Sequence, residues 1–261
     1  LPKKAELLGQ PLFQDWNFNG KIEMILPACL DAECSESVMW LFNFETKKWA
    51  DVSLKLDGWR FLPASMNALR SKVALSPLSV ISSADINLDQ YPDILTTVYK
   101  KTGESTRNTS IGLLINGKSG SEFTLTVAGS NSAASASGGA AGVPQMAAVA
   151  EFGETGVFDI VTVNGAGADD NAVPSVHMYR QKTIGDSYFL KVTILSGRCG
   201  EASQCPSGRL PLGVPTPGPA VLYTTEASSG GQISSCAAQV SHTGYMAMTQ
   251  PFHVFGLGPF A

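Results

Sequence analysis

The stretch DINLDQYPD at residues 85–93, followed by the apolar run ILTTVYK at 94–100, is the most informative part of this sequence. Oxygen-bearing side chains occupy positions 1, 3, 5 and 9 of the stretch, and position 7 offers a backbone carbonyl. Hard oxygen ligands of this kind are what Ca²⁺ takes in proteins. The last acid falls at position 9 rather than 12, and strand-like residues flank the loop, so an EF-hand is excluded. The stretch predicts a calcium loop between two β-strands.

Similar nine-residue stretches occur twice more in the chain. The first is DWNFNGKIE at 15–23, which leads into MILPACL, and the third is EFGETGVFD at 151–159, which leads into IVTV. The three loops begin 70 and 66 residues apart. A regular period of strand-rich units is typical of repeat architectures such as β-propellers. The Ala, Ser and Gly tract at 128–142 is expected to be an inserted flexible loop.

The three loops differ in the oxygen ligands that they offer. Loop three has Gly153 and Thr155 at positions 3 and 5, so we expect it to be degenerate and empty. Ordinary turn chemistry, in which Asx side chains bond to their own backbone, is the alternative interpretation, and it suffices for loop three. The expected calcium ligands in loops one and two are Asp15, Asn17, Asn19, the Lys21 carbonyl, Glu23, Asp85, Asn87, Asp89, the Tyr91 carbonyl and Asp93.

The composition favours a turn-rich β-protein with a buried core. Hydrophobic residues make up 44% of the 261 positions, charged residues make up 15%, and the chain has 26 Gly and 15 Pro. An average domain is about 25% charged, and long amphipathic helices need that charge on their exposed face. The formal net charge is −4 and Lys and Arg do not cluster, which disfavours nucleic acid as a partner. The sequence contains no run of 18 apolar residues, so it does not predict a membrane-spanning helix.

The five cysteines include two closely spaced pairs. Cys29 with Cys34, and Cys199 with Cys205, are each compatible with a short local disulfide, and Cys236 remains as a single thiol. A zinc site is disfavoured because none of the three histidines lies at ligand spacing from another histidine or from a cysteine. Local disulfides and the sequon at Asn108 both indicate an extracellular or secretory-pathway location.

One enzyme-like motif is rejected by its context. Residues 112–119, GLLINGKS, satisfy the P-loop pattern, but the variable positions read as a strand and the continuation SGSEFTLTV reads as a second strand. A P-loop must open a helix, whereas Asn116-Gly117 is typical of a hairpin turn. The chain also lacks a G-x-S-x-G elbow and an H-E-x-x-H motif. We therefore expect no enzymatic activity, with a secreted propeller-type hydrolase or carbohydrate-binding protein as the alternative.

The acidic loops with their following strands resemble FG-GAP repeats of integrin-α-type β-propellers. The segments SYFLKVTILSGRC at 187–199, PLGVPTPGPAVLYTT at 211–225 and SHTGYMAMTQPFHVFGLG at 241–258 closely resemble the T-cell immunomodulatory protein family, also called the integrin-α FG-GAP repeat or Linkin family. The spacing of both cysteine pairs is part of this resemblance. The chain departs from the usual loop pattern at Gln90, where glycine is usual, and at Glu23, where aspartate is usual.

This resemblance implies a three-bladed part of a propeller at 1–186, followed by a β-sandwich-like C-terminal domain at 187–261. Family members are type I cell-surface proteins implicated in adhesion and immune modulation, so it implies an ectodomain fragment whose membrane span lies outside this chain. The implied partners are other blades of the same parent protein, associated chains or cell-surface proteins. We expect partner contacts at loops such as 63–77 or 128–144, or at Tyr245 to Phe255, although most apolar stretches like this last one belong to a core.

The sequon predicts a glycan on Asn108. Expression in a mammalian secretory host should give a protein that loses mass on treatment with N-glycosidase, and Asn108→Gln should abolish that loss. Ser119→Ala, which lies outside the sequon, serves as the control. An unmodified Asn108 peptide in the wild-type mass spectrum would contradict the assignment.

Overall fold

The computed structural model describes residues 1–63, 78, 80–103, 107–128, 143–165, 175–181, 187–197, 201–205, 208–210, 213–226, 231–240, 242–244 and 247–259. In this part of the chain the regular elements are β-strands and one short 3-10 helix, Ala202–Gln204. The predicted all-β class is therefore confirmed. None of the described elements is a helix of the length and apolar character that crossing a membrane requires.

The first ten strands form one continuous sheet. In sheet order they run β1, β3, β4, β5, β10, β9, β8 and β6, with β2 beside β3 and β7 beside β8. The strands are β1 (Leu7–Leu8), β2 (Leu12–Gln14), β3 (Glu23–Cys29), β4 (Ser37–Asn43), β5 (Lys48–Lys55), β6 (Arg60–Phe61), β7 (Ser82–Ala84), β8 (Asp93–Lys101), β9 (Arg107–Asn116) and β10 (Glu122–Ala128). All pairings are antiparallel except that of β5 with β10, which is parallel.

Three further strands form the third repeat as a separate antiparallel sheet. They are β11 (Val143–Ala150), β12 (Asp159–Gly165) and β13 (Ser175–Tyr179). In every repeat the acidic loop joins the first two strands of an antiparallel meander, and the residue before the loop pairs with its position 9. These pairs are Gln14 with Glu23, Ala84 with Asp93, and Ala150 with Asp159. The identical register shows that the three sequence repeats are structural repeats.

The described strands of the C-terminal region, between residues 187 and 259, form two-stranded ribbons. β14 (Ser187–Val192) pairs with β19 (His253–Pro259), β15 (Ala220–Glu226) pairs with β16 (Gln232–Ala238), and β17 (His242–Gly244) pairs with β18 (Ala247–Met248). Each of these strands pairs with one other strand among the described residues, and the first two repeats share one sheet. The β-sandwich and the three separate blades therefore stay predictions.

Burial explains the sequence pattern of the central strands. Every residue of β8 from Asp93 to Tyr99 is buried, which accounts for its unbroken apolar and threonine run. One core lies between the first two repeats and contains Trp16, Ile25, Met39, Val98, Leu114 and Phe123 among others. A second core lies between the second and third repeats and includes Val254 of the C-terminal region: Ala84, Ile86, Leu95, Ile111, Ala147, Phe158 and Val254.

The hairpin between β9 and β10 corrects one sequence prediction. Asn116 and Gly117 were expected to form the turn, but Asn116 is the last residue of β9 and only 2% exposed. The turn is longer, with positive φ at Lys118 and Gly120. Because the Asn116 side chain is occupied in the core, it is not available for a two-residue turn.

Asn116 joins the first two repeats through its buried amide. Its Nδ2 donates to the Trp16 carbonyl at 2.9 Å and to the Pro92 carbonyl at 3.2 Å, and its Oδ1 accepts the Gly120 N–H at 3.1 Å. Trp16 belongs to loop one and Pro92 belongs to loop two. One side chain thus fixes both loops to the same hairpin.

Some sequence expectations concern residues outside the described part of the chain. They are Cys199, the loop residues 64–77, the tract 129–142, and Tyr245 and Met246 within the proposed interface stretch.

Removing the Asn116 amide should destabilise the whole described β-fold. Asn116→Ala leaves two buried carbonyls and one buried N–H without partners, which costs about 2–5 kcal/mol at the usual price of unpaired buried polar groups. Urea unfolding followed by tryptophan fluorescence measures this loss. Thr126→Ala, an exposed change on the same hairpin, should stay within about 0.5 kcal/mol of wild type. Equal unfolding midpoints for the two variants would contradict the linking role of Asn116.

Candidate metal centre

The three acidic loops share a backbone conformation at positions 4 and 6. Positions 4 and 6 of each loop adopt positive φ, a conformation that residues other than glycine rarely take. The φ angles at position 6 are 79° for Gly20, 87° for Gln90 and 76° for Gly156. The angles at position 4 are 61° for Phe18, 57° for Leu88 and 52° for Glu154. Gln90 therefore occupies a position at which glycine would be less strained.

Loop one is closed by its two acids. Asp15 accepts the N–H of Asn19 at 3.0 Å and that of Gly20 at 2.8 Å. Glu23 accepts side-chain N–H groups from Asn17 at 2.9 Å and from Asn19 at 3.1 Å. Both acids are 1% exposed, and burial raises the pKa of each. Asn17 Oδ1 is buried with no hydrogen-bond partner among the described residues, so loop one has an oxygen left for a further group.

Loop two repeats this closure with more negative charge. Asp85 accepts the N–H groups of Asp89 at 3.0 Å and Gln90 at 2.9 Å, and Asp93 accepts that of Ile86 at 3.1 Å. Burial, reinforced by the charges of Asp93 and Asp89, raises the pKa of Asp85 well above its ordinary value. Burial raises the pKa of Asp93 to about 7. The loop concentrates carboxylates in a place where their ionised forms are poorly solvated.

The other expected ligands lie on the same two loops. Asn87 Oδ1 accepts the Asp89 N–H at 3.0 Å. At position 7, the N–H of Tyr91 donates to Asp89 Oδ1 at 3.0 Å, and that of Lys21 donates to Asn19 Oδ1 at 2.9 Å. These bonds are the Asx-turn contacts that the alternative interpretation requires, and they leave lone pairs on the accepting oxygens.

The acids of loops one and two have no basic partner within the described residues. The ion pairs in this part of the chain join Lys21, Lys55, Lys101 and Lys191 to Glu45, Glu122, Glu33 and Glu151 respectively. The described residues also contain no group of three His, Cys, Asp or Glu side chains arranged to hold a metal ion on their own. Asparagine and backbone oxygens would therefore have to complete a metal site.

In loop three a lysine balances the charge of the position 1 acid. Glu151 accepts the Thr155 N–H at 2.8 Å and forms an ion pair with Lys191 at 2.7 Å. Burial opposes ionisation of Glu151, but its hydrogen bonds to Lys191 and Thr155 outweigh burial, and its pKa is lowered. Asp159 accepts the Gln181 N–H at 3.3 Å.

The structure adds residues that sequence reasoning did not identify. The position 1 carboxylates also contact the C-terminal region: Asp15 accepts the Cys236 N–H, Asp85 accepts the Gly256 N–H, and Glu151 pairs with Lys191. These partners lie 221, 171 and 40 residues away along the chain. Two of the three donate through the backbone, so no side-chain signal in the sequence marks them.

The expected cysteine and glycan sites are partly described. Cys29 and Cys34 form a disulfide with their Cα atoms 4.8 Å apart. Cys205 is also disulfide-bonded, and Cys236 is a free, half-buried thiol. Asn108 is exposed at the beginning of β9, where a glycan would have room.

A cavity of about 220 Å³ lies beside loop two, and it bears on the enzyme alternative. Its lining includes Ser82, Asp85 and His253, the residue types of a hydrolytic triad. Ser82 Oγ and His253 Nε2 are both without hydrogen-bond partners in the described structure, so they do not bond to each other. Asp85 is engaged with backbone N–H groups. The described lining residues therefore do not form a triad.

Comparison with known families and proteins identifies relatives of this chain. The family model described as "ITFG1, C2 domain" matches residues 211–261, within the C-terminal region expected at 187–261. No solved structure matches the chain.

The relatives cover nearly the whole chain. T-cell immunomodulatory protein of Rattus norvegicus is 30% identical over 98% of this chain, and that of Homo sapiens is 29% identical over 98%. Protein linkin of Caenorhabditis elegans is 22% identical over 98%. The chain spans 42% of the length of the rat and human proteins and 41% of the worm protein. The resemblance of this chain to the T-cell immunomodulatory protein family, seen in the sequence, is confirmed over nearly its whole length.

Proposed function

We propose that this chain is part of an extracellular, calcium-stabilised interaction module at the cell surface, and that it acts by binding proteins rather than by catalysis. The observation that carries this proposal is the pair of loops at 15–23 and 85–93, in which buried acids converge without a basic partner among the described residues. The name of the mammalian relatives supports an immunomodulatory, non-enzymatic role for the longer proteins.

Calcium would supply the positive charge that these loops lack. The residues that would hold it are the side-chain oxygens at positions 1, 3, 5 and 9 and the carbonyl at position 7. The unpartnered Asn17 Oδ1 supports such a group in loop one. In loop two, three carboxylates lie within one nine-residue loop, and a divalent cation would offset their mutual repulsion.

The structural role of the ion follows from the position of the loops. Each loop connects two antiparallel strands of a repeat, so ordering the loop holds that strand pair in register. We infer that the repeats are FG-GAP blades of a propeller, with the remaining blades supplied by the same parent protein or by an associated chain. We also place a glycan on Asn108.

Calcium binding should be stronger in loop two than in loop one, because loop two offers one more carboxylate. Isothermal titration of the intact chain should show two sites. Asp93→Ala should remove the tighter site, and Glu23→Ala should remove the weaker one. Glu45→Ala changes an exposed acid outside the loops and should leave both sites intact. Unchanged isotherms in both loop variants would refute the assignment.

The interaction role can be separated from the calcium role by one titration. Beads coated with the chain should bind T cells in calcium, and EGTA should weaken binding over the same range in which it makes the chain sensitive to protease. Beads coated with the Asp93→Ala variant should bind less at every calcium concentration. Loss of cell binding while the strands stay protected from protease would contradict a structural role for the ion.

A further inference from the structure

The C-terminal region meets loops one and two through the same kind of contact. The N–H of Cys236, in β16, donates to Asp15 Oδ2 at 3.2 Å. The N–H of Gly256, in β19, donates to Asp85 Oδ2 at 2.9 Å. In both loops the acceptor is the position 1 carboxylate, which also closes the loop. The two ribbons are therefore aligned with the repeats by the loops' own acids.

Loop three receives a side-chain cation at the equivalent carboxylate. Lys191, in β14, reaches Glu151 Oε2 at 2.7 Å, and its ammonium lies 4.1 Å from the centre of the Phe252 ring. The Lys191 side chain is 25% exposed, whereas the Glu151 side chain is fully buried. The neighbouring Phe189 packs so closely over Gly156 that a side chain at Gly156 would collide with the ring. The position 1 carboxylate of loop three is thus buried and neutralised by one strand.

Further hydrogen bonds fix the C-terminal region at loops two and three. Gln90 Nε2 donates to the Leu257 carbonyl at 2.8 Å. The Gln250 amide forms two bonds to the backbone of Glu151, accepting its N–H at 2.9 Å and donating to its carbonyl at 3.3 Å. The two Gln250 bonds use backbone groups of loop three, whereas the Gln90 bond joins a side chain of loop two to a backbone carbonyl of β19.

Close packing at loop two leaves no room for a side chain on β19. A methyl group at Gly256 would collide with Asp85 Oδ2 and lie 2.8 Å from the backbone of Leu88. Nearby, the Tyr223 ring packs against Phe18 of loop one at 5.8 Å and against Phe255 at 4.7 Å. A side chain introduced at Gly256 therefore tests directly whether β19 packs against loop two.

We propose that strands β14, β16 and β19 form an intramolecular cover over the position 1 carboxylates of the three acidic loops, and that Lys191 gives loop three a resident cation in place of a metal ion. For loops one and two the dependence on calcium rests on the proposed function, but the cover itself and the role of Lys191 do not. Calcium removal should loosen the cover at β16 and β19 and leave loop three closed.

Hydrogen exchange of the intact chain, followed by mass spectrometry, tests both parts. In wild type, EGTA should accelerate exchange about tenfold or more in peptides containing the amides of Cys236 and Gly256, because their carboxylate acceptors lose order. The peptide covering loop three should be unaffected by EGTA. Lys191→Met should accelerate exchange of that peptide about tenfold, with or without calcium, and Lys191→Arg should restore protection.

Two further variants keep the test decisive. Gly256→Ala should expose the β19 peptide even in calcium, whereas Gly197→Ala, at an open position of the same region, should not. Glu151→Gln should reproduce the Lys191→Met effect, and combining the two should add little. A flat calcium isotherm, together with faster exchange in Lys191→Met and Gly256→Ala, would remove the calcium assignment and support the cover. Unchanged exchange of loop three in Lys191→Met, or unchanged β19 protection in Gly256→Ala, would overturn the cover.

Discussion

The carboxylate at position 1 of each acidic loop is the interaction on which the rest of the structure depends. Asp15 and Asp85 each accept two N–H groups of their own loop and a third from the C-terminal region. A carboxylate with three such donors is strongly oriented, and hydrogen bonds to a charged acceptor are roughly twice as strong as neutral ones. The same group thus sets the loop backbone, the strand register and the placement of a distant ribbon.

Burial disfavours the ionised carboxylates of loops one and two, whereas in loop three the ion pair with Lys191 compensates for burial. Desolvation raises the pKa of Asp15 and Asp85, whereas Lys191 lowers that of Glu151 despite burial. A buried carboxylate needs a compensating charge or enough hydrogen bonds to stay ionised. The three repeats therefore share a backbone but differ in how their charge is balanced, and this difference is what separates the proposed metal loops from the degenerate one.

Much of the fold was predictable from the loop sequence because its determinants are local. Asp85 through Asp93 specifies the loop frame, and strand-like runs on both sides specify a β-hairpin, which the structure contains. The left-handed requirement at Gln90 was also readable from the usual glycine at that position. The prediction of a turn at Asn116 was wrong. The side-chain amide of Asn116 bonds to two carbonyls that lie 24 and 100 positions away along the chain, and these bonds outweigh the local turn preference.

The candidate site was less predictable because its cover is non-local. Gly256 and Cys236 contribute N–H groups, which every residue other than proline carries, so their identity as partners leaves no trace in composition or spacing. Lys191 was visible only as one lysine in an apolar strand. The role of Lys191 depends on its contacts with the ring of Phe252 and the carboxylate of Glu151, which only the folded chain brings together.

The last strand of the sheet formed by the third repeat, β13, has a consequence for solubility. β13 forms the edge of its sheet among the described residues, and Val176 and Met178 on it are 69% and 52% exposed. An edge strand with apolar side chains and unpaired backbone groups can add a strand from a neighbouring molecule. Neither of these two residues is charged or proline, the usual protections of such an edge. At high concentration, this edge is open to self-association.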